Sequence, residues 1–343
     1  MTRPALLALL TAALLGCTRD APVQTQGFLL YGMMIQLSLP GTDAARMEAA
    51  LATVELTVKQ EYGTLHPWQE SPLTRLNSAL PTGEWAPLEP GLRDIIERTT
   101  QLERDSDAAF SPAIGALVKL WGFHSSDPDR PRTPPAQADI KRLMTPPPRM
   151  SDLEIDGEQI RCRNPLLQLD FNAVAEGWAA EKAAQRLHQQ GIHDALIDAG
   201  GDLRILGRAG DRPWRVALQD PFEDGPMAGL EVEGDTAVFT SGRYRKRFEH
   251  EGTSYAHVID PRDGWPSDGV IAATVVTHDA VLADAAATAL VAAGLDEAPA
   301  VARRMGVDRF LLVDETRQLR VSPALAPLIE VLRKDRPLVI LPP

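Results

Sequence analysis

Cysteine is almost missing from this chain of 343 residues: Cys17 and Cys162 are the only two. A disulfide framework is thereby excluded. An excess of positive charge is missing too. The formal net charge is −12, so the chain is a poor partner for nucleic acid. No apolar run approaches the roughly 20 residues that a membrane-spanning helix needs. No self-similarity recurs at solenoid periods, which argues against a stacked array. What remains is 44% hydrophobic, ample for a packed core. The length is large for a single domain but acceptable where strands and helices mix.

The longest apolar stretch, Ala5 to Leu15, follows a lone Arg3 and has the dimensions of a signal-peptide core. Leu14-Leu15-Gly16-Cys17 looks like a bacterial lipobox. We therefore expect residues 1–16 to be removed and Cys17 to carry lipid, which anchors a chain without spanning the membrane. Residues 17–27 then serve as the lipidated cysteine and its tether. The expected location is the periplasmic face of a bacterial membrane. Thr18, standing where an inner-membrane retention signal would have Asp, leans toward the outer membrane. Cys162 is left without a partner and reads as a small structural residue.

Hydrophobic periodicity predicts a strand over 28–39 and helices over 43–62 and 91–105. Residues 63–77 read as a loop, and 110–123 as a loop followed by a short helix. A proline-rich excursion around a short helix covers 127–149. A hairpin-like pair at 153–162 and a strand at 166–171 precede a helix over 174–190. Strands at 194–198 and 203–207 flank a Gly200-Gly201 turn. More strands are expected at 214–219, 229–233, 236–239, 254–259, 271–277 and 309–313, with helices over 280–293 and 296–305. Strands and helices mix without strict βαβ alternation, so the class is α+β. One domain is expected over 28–330, with a tail at 331–343.

Four segments of the C-terminal half carry the chemistry: LDFNAVAEGWAAEK (169–182), DAGGDL (198–203), TSGRY…AHVIDPRDGWP (240–266) and ADAAATAL (283–290). Asp284 and Thr288 are four apart on a helix and share a face. A carboxylate with a hydroxyl is an oxygen-only ligand set that suits Mg²⁺. Alone, the pair reads better as a solvated acid and a backbone-bonded hydroxyl. Asp170 and Glu176 flank a helix start, whose free N–H groups suit a phosphate, and Gly177 allows close approach. The alternative for Glu176 is a first-turn acid favoured by the helix dipole. Arg243, Arg245, Lys246 and Arg247 form a basic cluster that faces phosphates, a partner or solvent. Asp260, before Pro261, reads as a turn-former.

Together these segments resemble the ApbE family of FAD:protein FMN transferases. The resemblance runs from about residue 30 to 325. It implies one domain related to the T-fold, with mixed and antiparallel sheets flanked by helices. It implies FAD as substrate, Mg²⁺ as cofactor, and transfer of FMN to a threonine hydroxyl of an acceptor protein with release of AMP. The implied acceptors are flavin-bearing subunits of respiratory complexes of the NADH:quinone reductase or Rnf type. By the same resemblance Asp284, Thr288 and the Ala173 carbonyl hold the metal, and His257 and Asp284 are catalytic. His257 contacts flavin, accepts the threonine proton or bonds a phosphate. Tyr31, Trp68, Ala109, Phe110, Ser111, Asp170, Glu176, Gly200, Gly201, Ser241, Gly242, His257 and Val258 line the FAD site. Two departures stand out: Met33 replaces the threonine of the family's M-G-T, and Ser111 replaces the aspartate of its F-D-P. The same residues would also suit a metal-dependent FAD pyrophosphatase, or an FAD-binding lipoprotein without activity.

Overall fold

A computed structural model describes residues 22–125 and 132–342. The lipobox with Cys17 and the start of the proline-rich excursion, residues 127–131, lie outside the described residues. Among those described, no helix is long and apolar enough to cross a membrane.

The molecule is organised by a sheet of nine strands whose spatial order follows the chain. It runs through Val23–Leu30, Met33–Pro40, Ala195–Ala199, Asp202–Leu206, Thr236–Gly242, Val270–Thr277, Phe310–Asp314, Leu319–Val321 and Leu338–Ile340. Every neighbouring pair is antiparallel except the last, which is parallel. The α+β expectation with mixed sheets is met.

The helices are α1 (Ala44–Leu65), α2 (Pro72–Ala79), α3 (Pro90–Asp105), α4 (Gly115–Leu120), α5 (Gln137–Leu143), α6 (Ala175–Gln189) and α7 (Ala280–Arg304). Strand alternation assigns the two faces of the sheet. Ala237, Phe239, Ala273, Val275 and Leu312 pack with the alanines of α7. Val238, Ala272, Val276, Leu311 and Val313 pack against Trp214, Val216, Leu218 and Leu230. These last come from a three-stranded sheet of Trp214–Gln219, Pro226–Val232 and Ile329–Val331. Central strands covered on both faces explain the near-continuous apolar runs in the sequence.

Several expectations need correction. The single strand at 28–39 is a hairpin, because Tyr31 and Gly32 both take positive φ (49° and 80°) and make the two-residue turn favoured by twisted strands. The 63–77 loop contains the start of α2. Ser71 accepts from Thr74 N, Thr74 returns the bond to Ser71 N, and Pro72 stands at the first turn, a complete capping box. The two helices expected over 280–293 and 296–305 are met: the run Ala280–Arg304 is broken into two by the non-helical backbone of Gly294 (φ 73°, ψ 175°). The main sheet begins at Val23, inside the expected tether, and ends at Ile340, inside the expected tail. Arg336 of that tail is buried and donates to Asp220 Oδ2 at 2.7 Å.

Candidate functional site

α6 and α7 cross where neither has bulk. A side chain on Gly177 would place its Cβ 2.8 Å from Asp284 Cβ and closer still to the Ala280 carbonyl oxygen. The close approach expected for a phosphate at Gly177 is used here by a neighbouring helix. It lets Gly177 N donate to Asp284 Oδ2 at 2.8 Å. One turn on, Thr288 Oγ1 lies 2.9 Å from Ser241 Oγ, so α7 is also tied to the end of strand Thr236–Gly242.

These ties define the floor of a cavity of about 370 Å³, within the usual range for small-molecule sites. Its wall includes Ala109, Phe110, Ser111, Asp170, Ala173, Glu176, Ser241, Gly242, His257, Val258, Asp284 and Thr288. Residues expected from segments far apart in sequence thus meet at one place. Gly200 and Gly201, expected at the site, are outside its wall and meet it only through Arg245, whose Nη2 donates to Gly200 O at 3.3 Å. Tyr31 is outside the cavity wall, on the exposed hairpin tip, stacked on Tyr62 at 6.0 Å. Trp68 is outside it too and packs on His124 at 5.4 Å.

The cavity has an acidic and a basic side. Asp284 and Asp202 are buried, and Glu176 faces them. Burial, followed by Glu176, pushes Asp284 well above the usual carboxylate range; burial, then Glu176 and Asp284, does the same to Asp202. Burial also raises Glu176, opposed by its interaction with Asp202, so these two carboxyls titrate as a coupled pair. Asp202 Oδ1 also accepts from Thr240 N at 2.7 Å. Opposite them, a separate hairpin of Arg247–His250 and Thr253–Ala256 carries Lys246 and His257 at its base. Phe248 stacks on Tyr255 at 5.3 Å and meets Phe123 at 5.6 Å, anchoring the hairpin beside α4. Lys246 Nζ donates to Phe123 O at 2.6 Å.

His257 Nδ1 lies 3.0 Å from the Lys246 carbonyl oxygen. As donor there, Nδ1 carries the proton and Nε2 keeps a free lone pair. Burial pushes this imidazole down to about 4, so it is neutral at pH 7. The folded value lies below the roughly 6.5 of a free imidazole. The unfolded chain therefore binds the proton first, and the stability His257 contributes is lost as pH falls from about 6.5 to about 4. Imidazole proton NMR is expected to show a midpoint near 4; one near 6.5 would refute the buried, neutral assignment. Asp170, also buried, is pushed up to about 6 by burial, opposed by the Asn172 N–H and Lys246.

The basic cluster divides between the cavity and the surface. Arg245 and Lys246 line the cavity, Arg243 pairs with Glu315 at 3.1 Å, and Arg247 is exposed. Asp202, Tyr62, Asn172 and Phe123 also line it without having been singled out. Asp202 lay inside the DAGGDL segment, at the start of a strand buried along its whole length, where no alternation marks it. Tyr62 had none beyond the last turn of an amphipathic helix.

Ser111 has a structural account. Its Oγ donates to Glu103 Oε1, and Glu103 Oε2 accepts from Met150 N at 2.9 Å. Glu103 is buried. An aspartate at 111 would oppose a second carboxylate in the same buried space. Ser111→Asp is therefore expected to cost about 3 kcal/mol or more, read by chemical denaturation. Adding Glu103→Gln should recover most of it; no loss in the single variant would count against this pairing.

Among the described residues no three His, Cys, Asp or Glu side chains form a ready chelate. The Asp284–Thr288 pair is a sparser set. It fits a hard cation that keeps water or ligand oxygens in its shell, and the neighbouring buried carboxylates supply negative charge for it.

Fold and cavity define an α+β protein with a small-molecule site between two crossing helices and the end of a central strand. The ApbE family model matches residues 31–311, and the chain belongs to the ApbE family. A FAD:protein FMN transferase of Rhodobacter capsulatus is 34% identical over 93% of this chain, which spans 61% of that protein's length. One of Klebsiella pneumoniae is 32% identical, over 90% of this chain and 92% of its own. The apo flavinyl transferase ApbE of Pseudomonas stutzeri superposes with a TM-score of 0.77 at 29% identity, over 91% of this chain and 98% of that one. The ApbE protein of Thermotoga maritima shares the fold, with a TM-score of 0.80 at 24% identity.

Proposed function

We propose that this chain is an FAD:protein FMN transferase that moves FMN from FAD to a threonine hydroxyl of an acceptor protein, dependent on Mg²⁺. The observation that carries this reading is the meeting of Asp284, Thr288 and the start of α6 with a neutral His257 in one cavity. The threonine oxygen forms a bond to the FMN phosphorus while the bridging P–O bond breaks, and AMP leaves with that oxygen. The threonine proton passes to His257 Nε2, whose lone pair is held ready by the Nδ1 contact with Lys246 O. Asp284, Thr288 and the Ala173 carbonyl would hold Mg²⁺, which when bound neutralises charge developing on phosphoryl oxygens. Arg245 and Lys246 would offset phosphate charge on the other wall. The reading extends to a Cys17-lipidated protein at the periplasmic face of a bacterial membrane. Its acceptors would be flavin-bearing respiratory subunits.

The test incubates the purified protein with FAD, Mg²⁺ and a threonine-bearing acceptor domain and follows the acceptor by intact mass. The expected result is a gain of one FMN unit that disappears when Mg²⁺ is chelated. FMN and AMP in solution with an unmodified acceptor would instead mean a pyrophosphatase. FAD bound but intact would mean a binding protein.

A further inference from the structure

Tyr62 Oη has no part in the chemistry above. Tyr62 stands in the last turn of α1 and lines the cavity. Its ring belongs to the apolar cluster beneath α1 and stacks on Tyr31 at an interplanar angle of 29°. Its hydroxyl is buried and has no hydrogen-bond partner among the described residues. A buried orphan donor weakens a fold, and phenylalanine would fill the same space without it. The hydroxyl faces the acidic wall, yet no oxygen of Glu176, Asp202 or Asp284 there accepts a hydrogen bond from it. What this corner lacks is an acceptor that a ligand would bring. Asp284 is also the carboxylate assigned to the cation, so the ligand oxygens nearest this corner are those of a phosphate.

We propose that Tyr62 Oη donates a hydrogen bond to a phosphate oxygen of bound FAD, making Tyr62 a substrate-binding residue on the metal side of the cavity. The proposal rests on the FMN-transfer reading and assigns that site a residue which its motifs do not contain. The ring remains a packing element; only the oxygen serves the ligand.

The experiment compares the whole protein with Tyr62→Phe, which removes that one oxygen. Binding of FAD and of riboflavin, which has no phosphate, is titrated in the presence of Mg²⁺, and the ligand-free Tm is recorded. The expected result is about a tenfold weaker Kd for FAD, since a hydrogen bond to a charged group is lost. Riboflavin binding should be unchanged, and the ligand-free Tm unchanged or higher. Unchanged FAD affinity overturns the proposal, as does an equal loss for both ligands, which would place the effect on the flavin ring. A lower Tm with FAD binding intact also overturns it, by making the hydroxyl structural. A wild-type protein that takes up no FAD overturns the transfer reading itself and this proposal with it. Wild-type transfer beside an unaffected Tyr62→Phe removes this proposal alone.

Discussion

Asp284→Asn is expected to lower FMN transfer by at least about a hundredfold while leaving the metal-free protein as stable as before, or more so. Asparagine keeps a carbonyl oxygen for the Gly177 N–H, so the α6–α7 crossing is retained. What it removes is charge. In the metal-free protein that charge is unfavourable, because burial and the neighbouring Glu176 both oppose ionisation of Asp284. Removing it relieves the acidic wall. On the proposed reading the balance reverses with Mg²⁺ and FAD present: the site would lose the carboxylate ligand assigned to the cation and its hold on phosphoryl charge. Losses of 10–100-fold are typical for groups that merely support a metal ligand, so a ligand itself sets a higher floor. Two readings decide the matter: transfer rate at saturating Mg²⁺, and the rise in Tm when Mg²⁺ is added. Undiminished transfer at saturating Mg²⁺ would sink the metal assignment. A large fall in metal-free Tm would show that Asp284 is there for the fold.

The same residue shows how far the sequence alone can be read. Helical spacing put Asp284 and Thr288 on one face, and that follows from local geometry. It did not say which face is buried, so the pair alone read as a solvated acid and a backbone-bonded hydroxyl. Only the order of several weak segments marked it as a site. Asp202 shows the complementary limit. It sits on a strand buried on both faces, where alternation carries little signal, and its importance comes from Glu176 and Asp284, both distant in sequence. The hairpin at Tyr31-Gly32 escaped because its turn lacks the usual Asn-Gly signature and sits within an apolar run. Strand Leu338–Ile340 escaped because three residues pairing in parallel with Leu319–Val321 have no local pattern of their own. Ser111 stood out in the sequence only as a departure from the family's F-D-P. Its explanation, the buried carboxylate of Glu103, lies in a helix with no motif.

Gly177→Ala is expected to be among the most damaging single-methyl additions available to this chain. Alanine is the better helix former by about 1 kcal/mol, and Gly177 lies within α6 at ordinary helical φ, so propensity alone favours the change. Sterics oppose it. The new methyl carbon would sit 2.8 Å from Asp284 Cβ and closer to the Ala280 carbonyl oxygen, and one of those contacts is backbone that no rotamer change can move. Overpacking of this kind costs about 1–3 kcal/mol. Separating the helices also lengthens the Gly177 N–H contact with Asp284, leaving a buried carboxylate short of a donor, at about another 1–3 kcal/mol. The steric and hydrogen-bond losses exceed the propensity gain, so net destabilisation of about 1–5 kcal/mol is expected by urea denaturation. FMN transfer should fall with it, because Asp284 no longer stands over the Ser241–Thr288 pair. Gly63 supplies the control. It lies in α1 with no heavy atom within 4 Å of a would-be Cβ, so Gly63→Ala should gain up to about 1 kcal/mol from propensity alone. If both substitutions stabilise alike and Gly177→Ala transfers FMN normally, the crossing has room to spare. The bond between Gly177 and Asp284 would then not be what sets the carboxylate in place.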